Sequence, residues 1–86
     1  MSARVAPLAR TPGRVHMLRA CQRGGVQWSI TPVPALSPWV LDGVRLLVGS
    51  PDAALLDELA QRKLTHEWDT QTITHAGEAL LREWSR

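Results

Sequence analysis

The chain has 86 residues, is 44% hydrophobic and carries a net charge of +2, which fits one domain with a core near the small end of what folds unaided. No apolar run reaches the ~20 residues needed to span a membrane, and Arg4, Arg10, Arg14 and Arg19 interrupt any secretory apolar core. A single cysteine, Cys21, excludes an internal disulfide and suits a reducing cytoplasm.

Residues 1–10, with Pro7 and no sustained periodicity, read as a flexible arm ahead of one domain at 11–86. Thr11-Pro12 predicts an N-cap followed by proline at the first helical position. Val15, Leu18 and Cys21 follow at helical spacing, His16 falls on the surface, and Gly24-Gly25 stops the helix. Val26, Trp28 and Ile30 alternate as a short strand. The stretch "TPVPALSP", with three prolines in eight residues, reads as a loop or extended connector.

Residues 39–49 admit two readings. Asp42-Gly43 can turn a hairpin with Val44–Val48 as a strand, or the segment can hold a short distorted helix. Ser50-Pro51-Asp52 starts a helix that turns Leu55, Leu56, Leu59 and Ala60 inward. Asp57, Glu58, Gln61 and Arg62 face out, with Glu58 and Arg62 at i,i+4 spacing. "LTHEWDTQTIT" predicts two short strands around a turn near Asp69-Thr70-Gln71. Thr74 then caps a final helix, Glu78 sits near its positive end, and Ala76, Leu80 and Trp84 form its apolar face.

From Leu56 onward this order resembles the C-terminal half of winged-helix domains. "LLDELAQRKLT" looks like their recognition helix and its exit, "HEWDTQTIT" like the wing, and "THAGEALL" like the helix after it. "MLRACQRGGVQWS" resembles their first helix and first strand. The resemblance implies an α+β, winged-helix-like domain of about three helices, a short strand and a two-stranded wing hairpin.

Two functions compete on that scaffold. Residues 1–41 hold five arginines and no acid, while residues 42–86 hold eight acids and five bases, giving +5 and −3. Such polarity suits a basic nucleic-acid face or two halves that attract each other. A DNA-binding regulator would hold double-stranded DNA by phosphate contacts from Arg10, Arg14, Arg19, Arg23, Arg45, Arg62 and Lys63, with Thr70 and Gln71 at the wing tip.

The DNA-binding regulator is the first expectation, and departures from the winged-helix pattern keep an alternative class open beside it. Asp52, Ala53 and Asp57 occupy turns where DNA readers carry donors, and Lys63 stands where the glycine after the recognition helix is usual. A protein-binding module would use Trp39, Asp52, Asp57 and Trp68 instead. Solitary domains of this size resemble phage or mobile-element accessory proteins, including inhibitors of host CRISPR complexes. A second copy of the chain, giving a homodimer, is a further partner to test. His66, Glu67, Asp69 and His75 lie close together without zinc-ligand spacing, and no phosphate-cradling loop, nucleophile elbow or triad is present. Neither a metal, a cofactor nor catalysis is expected.

Overall fold

The computed structural model describes residues 8–67 and 72–85. Helix α1 (Pro12–Gln22) opens where Thr11 Oγ1 accepts a hydrogen bond from the Arg14 N–H. It closes through Gly24 at φ 81°. The N–H groups of Gly24 and Gly25 return to the carbonyls of Cys21 and Ala20, satisfying the last turn.

Strands β1 (Val26–Trp28), β2 (Leu36–Leu41) and β3 (Val44–Leu47) form one antiparallel sheet in the order β1-β2-β3. The two readings of residues 39–49 therefore resolve as a hairpin. Asp42 at φ 50° and Gly43 at φ 80° make its two-residue turn. A turn with both residues in the left-handed region matches the twist of the paired strands. The β2–β3 register shifts between Leu36 and Val40, so the irregularity lies in β2.

Helix α2 (Pro51–Gln61) starts at Ser50, whose hydroxyl accepts from the Ala53 N–H. It ends like α1, with Lys63 and Leu64 N–H groups returning to Ala60 and Leu59 carbonyls. Here a lysine, not a glycine, takes the left-handed position at φ 61°, at a cost of roughly 1 kcal/mol. The wing expected at 65–74 is present at its base. Thr65 pairs with Ile73, and Thr74 N–H reaches the Leu64 carbonyl. Its tip, with Trp68, Thr70 and Gln71, lies outside the described residues. Helix α3 (His75–Trp84) begins at Thr74, which accepts from the Gly77 N–H.

Three helices and a three-stranded antiparallel sheet make this an α+β fold consistent with a winged-helix-like topology. Trp39, Met17, Leu18, Leu56, Leu59 and Val26 are fully buried at its centre.

Two sequence expectations need correction. In α3 the buried positions are Gly77 and Leu81, while Ala76 is exposed and Leu80 and Trp84 are half-buried. The helix is rolled by about one residue because Gly77 lies against the Leu64 backbone carbonyl, where any Cβ would collide. The arm expected at 1–10 also reaches too far. Leu8 packs on the core, and Arg10 Nε donates to the Trp84 carbonyl at 3.1 Å. Residues 1–7 lie outside the described residues.

Candidate functional site

The arginines expected to meet phosphates are mostly engaged within the fold. Arg14 donates from Nε and Nη2 to the two carboxylate oxygens of Glu58, at 2.8 and 3.1 Å, and from Nη1 to the Ala9 carbonyl. That bidentate contact holds the Glu58 carboxyl below the ordinary glutamate range, with Arg62 adding at longer reach. Arg23 Nη2 donates to both oxygens of Asp42 at 2.8 and 2.9 Å. Both pairs join an arginine of the basic half to an acid of the other half. The charge polarity thus serves, at least in part, as internal attraction.

Arg45 is the most committed. Its Nε donates to the Ser37 carbonyl, Nη1 to Ser29 Oγ and Nη2 to the Thr31 carbonyl. It clamps the loop between β1 and β2, so it is not a free phosphate contact. Arg19, Arg62 and Lys63 remain exposed, and Arg10 keeps unused donors beside its single bond to Trp84.

The residues set aside for a protein interface are also redistributed. Trp39 is 0% exposed. From the central strand it packs against α2, donating from Nε1 to Asp57 Oδ1 at 2.8 Å, and meets Trp28 edge-on with ring centroids 4.8 Å apart. A buried indole needs such an acceptor, so Trp39 is a core residue rather than a docking one, while Asp57 keeps its exposed position on α2 as it accepts that bond. Asp52 stays exposed in the first turn of α2. Trp68 lies outside the described residues, as does Asp69.

Cys21 is 3% exposed, and burial pushes its thiol above the ordinary range. Such a thiol packs as a small apolar side chain. His16 and His75 are exposed and His66 is half-buried. Among the described residues no group of three or more His, Cys, Asp or Glu could hold a metal ion.

The feature that periodicity did not reveal is on the sheet's other side. Gln27, Val40 and Arg45 are successive register partners, and alternation turns them away from buried Val26 and Trp39. There, between the start of β2 and the loop 29–35, lies an open groove of about 710 Å³. Trp28, Ile30, Pro32, Val33, Pro34 and Leu36 supply most of its wall, with Arg45 at one side. Ile30 is 87% exposed, and Leu47 and Val48 nearby are 61% and 67% exposed. The three prolines of "TPVPALSP" were the sequence signal, since they fix an extended loop that cannot fold back and bury these side chains.

No described helix is long and apolar enough to cross a membrane. No protein-family model matches the chain, and no curated protein or solved structure matches it.

Proposed function

We propose that this chain is a small, non-enzymatic protein-interaction module whose partner docks on the groove beside the proline loop. The observation that carries this reading is the groove itself: an apolar wall held open by Arg45, each of whose three side-chain nitrogens donates a hydrogen bond within the chain. Exposed apolar surface of this kind is costly to leave in water and marks interaction sites. Among the described residues its one charged lining side chain is bound to the Ser37 and Thr31 carbonyls and the Ser29 hydroxyl, so the groove suits a neutral apolar segment of a partner, not a phosphate backbone. The unpaired, buried Cys21 supports a cytoplasmic setting. Inhibition of a host complex by a phage or mobile-element accessory protein is one role that such a surface would serve.

A DNA-binding role is the second reading, carried by exposed Arg19, Arg62 and Lys63. One paired experiment separates the two. A random peptide library is selected on the wild type, and retained peptides are re-tested on Ile30→Asp and on Arg19→Ala. In parallel, random duplex DNA is titrated at two salt concentrations. The interaction reading expects peptides lost with Ile30→Asp and kept with Arg19→Ala. DNA binding with a steep salt slope, weakened by Arg19→Ala and Arg62→Ala, would overturn it.

A further inference from the structure

The outer edge of the sheet, beside the groove, points to a second site. We propose that β3 is the docking edge for a second copy of this chain, the two β3 strands pairing antiparallel across a two-fold axis.

Among the described residues β3 is the outermost strand on its side of the sheet. In a two-residue hairpin the residues flanking the turn, Leu41 and Val44, exchange their backbone hydrogen bonds. Arg45 therefore aims its backbone N–H and C=O away from β2, and Leu47 follows at period two. Val48 N–H turns back to the Ala35 carbonyl at 3.1 Å, so the alternation runs through the strand. The Leu47 carbonyl accepts from Ser50 N–H and keeps a second lone pair.

Sheets block such edges with proline, lysine or a bulge. β3 contains no proline or lysine, and the register shift lies in β2. Its one charge, Arg45, is bound to Ser37, Ser29 and Thr31 of its own chain. The opposite edge differs. β1 has three residues, and the Thr72 hydroxyl donates to its Val26 carbonyl at 3.2 Å.

The sequence of the open edge selects the occupant. Gly43-Val44-Arg45-Leu46-Leu47-Val48-Gly49 reads nearly the same in both directions. With the axis at Leu46, Val44 meets the partner's Val48, Leu46 meets its counterpart, and Arg45 lies beside the partner's Leu47. The glycines that close each end sit at φ 80° and 81°, opposite one another. No like charges oppose in this register. Val44, Leu47 and Val48 are 64%, 61% and 67% exposed, so the two copies together bring six aliphatic side chains to the contact.

Sedimentation velocity of the full chain, from low to several hundred micromolar, tests this. The wild type should pass from monomer to dimer. Val44→Lys and Val48→Lys should each raise the dissociation constant at least roughly tenfold, while Ile30→Lys in the groove leaves it unchanged. Circular dichroism checks that these exposed positions tolerate lysine. Amide exchange at Arg45 in the wild type supplies a second readout, with protection rising as the dimer fills. A monomer at every concentration, a dimer indifferent to both lysines, or an Arg45 amide that stays unprotected would overturn the proposal. A dimer lost only with Ile30→Lys would do the same and would assign self-association to the groove.

Discussion

The two faces of one small sheet are built to opposite ends. Facing the helices, Val26 and Trp39 are 0% exposed, and the indole N–H that burial would strand is given to Asp57. On the other face a whole guanidinium is committed to holding a loop whose Ile30 is 87% exposed. The first face uses polar groups to complete a core. The second uses them to keep apolar side chains out of one. Fold stability accounts for the first arrangement and leaves the second without a purpose, which is why function is sought there.

The contrast is sharpest under substitution. Trp39→Ala should have the largest effect, about 3–5 kcal/mol of lost stability from the vacated core, measured by denaturant unfolding. A loss comparable to that at a surface position would break the distinction between the faces. Gly77→Ala follows, at about 1–3 kcal/mol destabilising, because the added methyl meets the Leu64 carbonyl. Helix propensity alone predicts the opposite sign, so a stabilised variant would show that α3 does not pack as described.

Smaller effects come from the rim. Arg14 holds the folded-state pKa of Glu58 below its unfolded value. The stabilisation is therefore complete above the unfolded glutamate pKa and vanishes as pH falls through the folded one. Glu58→Gln should lower Tm at neutral pH and converge with the wild type in acid. A constant gap across that range would mean that the pair does not control the difference. Ile30→Ser should change stability least, within about 0.5 kcal/mol, while weakening peptide capture. A large loss of stability would show that the loop belongs to the core after all.

What could be read in the sequence was what is local. Thr11, Ser50 and Thr74 announce helix starts because a cap acts over three residues, and all three accept the expected bond. Asp42-Gly43 offered the hairpin, but periodicity could not choose it, since Trp39, Val40 and Leu41 are consecutive apolar residues with no polar partner to mark a face. The roll of α3 was hidden because Gly77 has no side chain to register as apolar, yet its backbone makes the closest approach. The site suffered most. The carboxylates that engage Arg14 and Arg23 lie 44 and 19 residues away. A run of arginines looks available for phosphates until the fold supplies those acids.

The joining of α1 to α3 carries a consequence for how the chain is made. α1 packs on α3, and Arg10 reaches the Trp84 carbonyl across 74 positions. On the ribosome, the sheet and α2 can assemble as they emerge, but Leu81 of the core appears only after them. Until then the part of α1 that packs on α3 stays uncovered. Stalled synthesis near Thr74 would therefore release a chain with exposed apolar surface, prone to aggregation and a natural substrate for chaperones and proteases.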